Sequence, residues 1–165
     1  MKILNGSIRR IYISMILVVL ILIVLTSFIA IKLIENKNKL VYQDNNFMVE
    51  IEPNINKTIK SLSDSEGLKE KSNKINITNN SDKEKKYQIR LTPLNNNEDD
   101  IRISLNNTIK NLSNYQKEDN YYILLEDNLK PSYSSIYDLR IFLSKNSSLN
   151  VLKVNFTLSV ALLDD

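Results

Sequence analysis

Histidine and cysteine are absent from the 165 residues, and the chain has only two glycines and three prolines. Without His or Cys there can be no Ser-His-Asp triad, cysteine–histidine nucleophile, zinc-finger site or sortase-like chemistry. Without cysteine there is also no lipoprotein anchor and no disulfide. An exported domain must therefore be held by its hydrophobic core alone, which is feasible at about 120 residues. Neither Gly6 nor Gly67 sits in a phosphate-cradling motif, which excludes the familiar nucleotide loops.

Basic charge is unevenly spread. The net charge is +3, but residues 1–40 hold six Lys/Arg and one acid, leaving sixteen basic against eighteen acidic residues beyond them. The excess flanks an apolar run, and no basic stripe with interleaved aromatics marks a nucleic-acid surface.

That run, Ile11 to Ile31, contains no charged residue. A helix rises about 1.5 Å per residue, so about 20 apolar residues cross a hydrocarbon core of about 30 Å. Ile11, Leu17, Leu20, Leu25 and Ile31 are its anchor positions. Leu33 and Ile34 extend the span to 11–34, past Lys32, whose amine can snorkel. Ser14, Thr26 and Ser27 can bond back to the helix backbone. A secretory leader would have a shorter apolar core and a small-x-small cleavage site, and Phe28-Ile29-Ala30 fits that poorly. A type IV pilin leader places a glutamate near the start of the run, whereas the first acid here is Glu35. Arg9 and Arg10, with Lys2, set the topology: residues 1–10 form a cytoplasmic tail and the C-terminal domain lies outside the cell membrane. The lipid bilayer is thus the first expected partner.

Residues 35–46 are polar and read as a juxtamembrane stalk, followed by a domain at 47–165. Phe47, Val49 and Ile51 alternate with polar residues until Pro53, which predicts a strand. Asn54–Asn73 is ambiguous, with a turn or loop ahead of Gly67. Ile75 and Ile77, then Tyr87, Ile89 and Leu91, predict an antiparallel pair around the cluster Asn79-Asn80-Ser81-Asp82. Ile101–Leu105 is a further strand, with a looser stretch to Asp119. Tyr121–Leu125 is another, with a turn at Glu126–Pro131. Tyr137, Leu139, Ile141 and Leu143 share one face of the next, opposite Arg140 and Phe142. Val154, Phe156, Leu158, Val160 and Leu162 line the last and longest strand, ended by the charged Asp164 and Asp165. About seven strands with one-face alternation predict a mainly β fold: an immunoglobulin-like antiparallel β-sandwich behind an N-terminal transmembrane helix. A helix within 57–73 or 106–119 is compatible with this pattern. The near-match of Thr58–Ser63 with Thr108–Ser113 is too short to establish duplication.

Asn-, Lys- and Ile-rich composition without cysteine suggests an AT-rich bacterial genome. The sequons at Asn76, Asn111 and Asn155 are then by-products of abundant asparagine. The order Ser63-Asp64-Ser65-Glu66-Gly67-Leu68, Ile75-Asn76-Ile77-Thr78-Asn79 and Tyr87-Gln88-Ile89-Arg90-Leu91 resembles small anchored or exported β-sandwich proteins of Gram-positive bacteria. Leu129-Lys130-Pro131 and Tyr137-Asp138-Leu139-Arg140-Ile141 continue it. The stretch, about 63–143, is distantly similar to the camelysin and biofilm-fibre group. The fibre-forming members are more glycine-rich and have a cleaved leader, from which this chain departs. The resemblance implies the sandwich fold. Camelysin-type proteins have been labelled proteases, but a histidine-free chain rules against zinc-dependent proteolysis.

Three other chemistries leave traces. A Ser–Lys dyad needs a buried lysine of lowered pKa, and no serine stands in a recognisable catalytic setting. Glu98, Asp99 and Asp100 lack the alternating ligands and glycine of an EF-hand loop, so they read as a solvated acidic turn. No carboxylate pair marks a sugar cleft. The sequence therefore points to no enzyme and no cofactor. It points to a binding or assembly module that meets a protein partner or itself. Asn155, Thr157 and Ser159 on the final strand, offering its edge, and Arg140 beside Phe142 are the candidate interface residues. For the last two the bland reading weighs more: Phe142 covered by a loop and Arg140 paired with a surface acid. The alternative is an accessory subunit of a membrane secretion, competence or envelope complex.

Overall fold

The computed structural model describes residues 6–37, 39–44, 46–94 and 100–163 and forms two compact units, 1–38 and 39–165. The first is a single helix, α1 (Gly6–Lys37), long and apolar enough over Tyr12–Ile29 to cross a membrane. Its length is about 48 Å at the usual rise.

Among the described residues, the second unit is mainly β. Its strands are β1 (Leu40–Asp44), β2 (Phe47–Ile51), β3 (Asn54–Leu62), β4 (Asn73–Asn79), β5 (Lys85–Pro93) and β6 (Ile101–Leu105). After them come β7 (Thr108–Asn111), β8 (Gln116–Glu118), β9 (Tyr121–Leu129), β10 (Ser134–Ser144) and β11 (Val151–Leu163). One turn of helix, α2 (Asp64–Gly67), and one of 3₁₀ helix, Leu112–Asn114, interrupt them.

Two antiparallel sets can be traced. One runs β1-β2-β4-β10-β6-β7; Leu139 pairs with both Asn73 and Leu105, so β4 and β6 flank β10 on opposite edges. The other runs β3-β11-β5-β9-β8. A short parallel pairing, Leu143 with Ser61 and Ser144 with Leu62, joins them into one eleven-stranded sheet. The alternating apolar residues of both sets form one core, with Ile75, Ile77, Tyr87, Ile89, Leu91, Leu139 and Phe156 fully buried. Phe47 of β2 and Tyr87 of β5 stack at a tilt, ring centroids 6.1 Å apart. The Tyr87 and Tyr137 hydroxyls share a hydrogen bond of 2.5 Å across the core.

Several expectations need correction. The eleven strands exceed the predicted seven because four lie where the alternation is short or broken. β1 falls inside the predicted stalk, which is split: Glu35–Lys37 continues the helix and Leu40–Asp44 pairs with β2. β3 occupies the ambiguous stretch. Its inward register contains Lys57 between the buried Ile55 and Ile59, which hides the period of two. β7 and β8 lie in the stretch taken as loose. Asn106 and Asn107, both at positive φ, make the two-residue turn that pairs Leu105 with Thr108, a geometry that asparagine tolerates. β9 runs through Glu126–Leu129, residues expected to turn. Helix does occur in 57–73 and 106–119, as one turn in each.

β4 and β5 do not pair with each other; they belong to different sets. The chain crosses between them at residues 80–84, held by the buried Asn79. Its Nδ2 donates to the carbonyls of Lys83 and Leu129, each at 2.8 Å. Its Oδ1 accepts from the Ser81 amide at 3.0 Å and the Ser81 hydroxyl at 2.6 Å. The amide's two donors and two acceptor sites are all used, as burial demands.

On the face of β10 away from the core, Phe142 is 1% exposed beneath Gly67. Phe142 is therefore covered, as the bland reading of this face expects, and no exposed Arg–aromatic pair is formed. A Cβ added to Gly67 would overlap the far edge of the Phe142 ring, so close approach, not backbone angle, requires glycine. Gly67→Ala is expected to cost about 1–3 kcal/mol through overpacking. Phe142→Leu in the same chain should return part of that loss, because the two residues share one contact. Urea unfolding of the full chain in detergent, followed by circular dichroism, measures both. Strictly additive effects would refute the shared contact.

Candidate functional site

α1 shows an apolar surface all round: Leu17, Leu20 and Leu25 are 56%, 57% and 52% exposed. Thr26 Oγ1 donates to the carbonyls of Leu22 and Ile23, and Ser27 Oγ to that of Ile23, the back-bonding expected of them. The side chains of Arg9, Arg10, Ile11 and Ile31 lie outside the described residues, as do Glu98, Asp99, Asp164 and Asp165. Of the acidic turn, Asp100 is described. Its carboxylate accepts from Ser147 Oγ at 2.7 Å and its carbonyl from the Ser144 amide, so it secures the β10–β11 turn. Among the described residues, no group of three or more acidic side chains is placed to hold a metal ion.

β11 is not an edge strand: it lies in the middle of its set, with Val151–Thr157 paired to β3 on one side and Phe156–Leu163 to β5 on the other. Phe156 and Thr157 are paired on both sides, and Ser159 is paired on the β5 side. Asn155 and Thr157 sit opposite Asn56 and Asn54, and Ser159 opposite Arg90. Their side chains are half-buried on the outer face. Length and alternation could not reveal this, because a central strand covered on one face carries the same period as an edge strand. Arg140 is also engaged. Its Nε donates to the Glu70 carbonyl at 3.0 Å and its Nη1 lies 3.4 Å from Asn107 Oδ1, clamping the 68–72 segment over β10.

Open edges occur elsewhere. β7 pairs with β6 alone. Thr108 and Lys110 stand opposite Leu105 and Ile103, so they face the space between the two sets. There, Leu105, Thr108, Lys110, Tyr115, Leu124 and Tyr137 line a cavity of about 260 Å³. The Lys110 ammonium lies 5.4 Å from the Tyr115 ring centroid, a cation–π contact at its mouth. The signal for this edge was in the sequence, in the Asn106–Asn107 dipeptide, whose taste for positive φ marks a hairpin.

Two other edges are guarded. β8 has three polar residues. β3 turns Lys57 inward, a device that discourages edge-to-edge pairing; burial pushes the Lys57 ammonium below its ordinary pKa, with Glu70 opposing. At the far flank, β1 pairs with β2 alone, and Phe47, Val49, Val160, Ala161, Leu162 and Tyr42 line a cavity of about 220 Å³. Lys39 Nζ and Glu50 meet at 2.7 Å, and Asn76 Nδ2 donates to the same carboxylate at 3.0 Å. The Lys39 hydrogen bond, then that of Asn76, holds the Glu50 carboxyl below its ordinary value.

No family model, curated protein or solved structure matches the chain. What the site can do rests on its geometry.

Because the folded-state pKa of Glu50 is lowered, its contribution is full above the ordinary carboxylate range and is lost as the pH falls through the lowered value. As a half-exposed pair it is worth under about 1 kcal/mol. Unfolding free energy should fall on acidification from about pH 6 towards pH 3, and Glu50→Gln should flatten that slope slightly. An identical slope in wild type and variant would remove Glu50 from the account.

Proposed function

We propose that the chain is a single-pass membrane protein, N-terminus cytoplasmic, whose extracytoplasmic domain binds another protein, or further copies of itself, without catalysis. The domain is read as an immunoglobulin-like β-sandwich. Its two antiparallel sets share one core, and the chain changes set between β4 and β5. The all-round apolar surface of α1 supports a bilayer-spanning anchor, since a soluble helix shows polar residues on its outer face. The resemblance to anchored sandwich proteins of Gram-positive bacteria agrees with both.

The observation that carries the binding mode is the open edge of β7 above its cavity. An incoming strand gains main-chain hydrogen bonds from the edge, while the cavity takes one of its side chains and supplies selectivity. Of the neighbours Ile109 and Lys110, one directs its amide to β6 and the other outward, as an antiparallel ladder requires.

The chain has no cysteine, so Lys110→Cys and Val151→Cys each give a unique thiol for a photo-crosslinker. In the native membrane, the label at 110 should yield one discrete adduct and the label at 151 none. Proline at 109 or 110, whichever has the outward amide, should abolish the adduct while circular dichroism stays unchanged. Absence of an adduct at 110, or equal adducts at both sites, would overturn the β7 assignment. An adduct that forms in the full chain and disappears when α1 is removed from residues 39–165 would instead favour an accessory subunit that uses its anchor as part of the interface.

A further inference from the structure

Elsewhere among the described residues of the domain, exposed large apolar side chains occur singly, at Leu94, Tyr133, Ile136 and Val151. In β1 three follow in succession: Leu40, Val41 and Tyr42 are 50%, 59% and 53% exposed. Both faces of the strand contribute. Leu40 and Tyr42 stand opposite the buried Ile51 and Val49, on the core side, while Val41 stands opposite Glu50 on the other. Among the described residues only β2 pairs with this strand. A hydrophobic edge of this kind is normally charged or covered.

Chain connectivity says what lies within reach. α1 ends at Lys37, three residues before Leu40. Three residues span at most about 11 Å. If the apolar span closes at Ile34, Lys37 stands about 5 Å beyond the hydrocarbon edge. Leu40 can then be no more than about 16 Å from that edge, beside a polar layer about 5–7 Å thick.

From this we infer that β1 rests on the bilayer from which the anchor emerges, with Leu40, Val41 and Tyr42 seated in the headgroup layer. The inference depends on α1 being a membrane anchor. Tyrosine suits that layer, its ring among the upper acyl chains and its hydroxyl in the wet zone. Tethering makes the contact intramolecular, so three partly buried side chains suffice where a free domain would need a far larger surface.

The chain contains no tryptophan, so one introduced residue reports alone. The full chain carrying Tyr42→Trp, Val41→Trp, Leu17→Trp or Val151→Trp is reconstituted into phosphatidylcholine–phosphatidylglycerol vesicles. The lipids are brominated either high or low on their acyl chains. Tyr42→Trp and Val41→Trp should shift to the blue and lose most of their emission to high bromine. Leu17→Trp should be quenched by low bromine, and Val151→Trp by neither. If Leu17→Trp is quenched while Tyr42→Trp and Val41→Trp are not, the landing site is refuted and the anchor stands. If Leu17→Trp escapes quenching, the anchor reading fails and takes this inference with it. Equal high-bromine quenching at positions 42 and 151 means unspecific adsorption and also overturns it. A blue shift without bromine quenching that grows with protein density identifies a second copy on β1, which overturns the lipid assignment.

Discussion

Thirteen consecutive residues of β11 hold the β unit together. Their first half is paired with β3, their second half with β5, and Phe156 and Thr157 engage both. The same residues send Val154, Phe156 and Leu158 into the core. A slip of one residue would expose all three and misalign both neighbours, so hydrophobic burial and hydrogen-bond register specify each other. β5 then positions β9, and β9 positions β8. β3, through its parallel contact with β10, brings in the other set.

The crossings between the sets are secured by polar groups whose hydrogen bonds are met. Asn79 uses all four bonding positions to tie the β4–β5 crossing to the end of β9. The Tyr87–Tyr137 pair joins β5 to β10. Burial, then the hydrogen bond to Tyr137, pushes the Tyr87 hydroxyl well above its ordinary pKa. Ser61 Oγ donates to the Ser144 carbonyl at 3.0 Å where the sets meet. Buried bonds of this kind contribute modestly when made and cost more when broken, so they select one crossing over its alternatives. With no disulfide available, that selection rests wholly on packing and hydrogen bonds.

The surface divides the same way. Where the chain turns a lysine inward, as on β3, or keeps an edge short and polar, as on β8, strand addition is discouraged. The two edges without such guards differ in chemistry. β1 is apolar and follows directly on the helix. β7 is mixed, with a cavity and a cation–π contact behind it. We propose lipid as the occupant suited to the first and protein as that suited to the second.

The amino-acid sequence alone is enough for the long apolar helix, the mainly β character of the rest, and the core faces of β2, β4, β5, β6, β10 and β11. These follow from local periodicity and length, which act residue by residue. It also determined what chemistry is absent, since a missing histidine or cysteine cannot be supplied by folding. Which strands are neighbours is settled by long-range contacts alone. Ile75–Thr78 and Tyr87–Leu91 looked like a hairpin and lie in different sets. Residues 154–162 have the period of an edge strand but lie between β3 and β5, and Arg140 clamps a backbone carbonyl. Strand order depends on contacts between residues far apart in the chain, and a period of two records which face is buried but not which strand lies beside it.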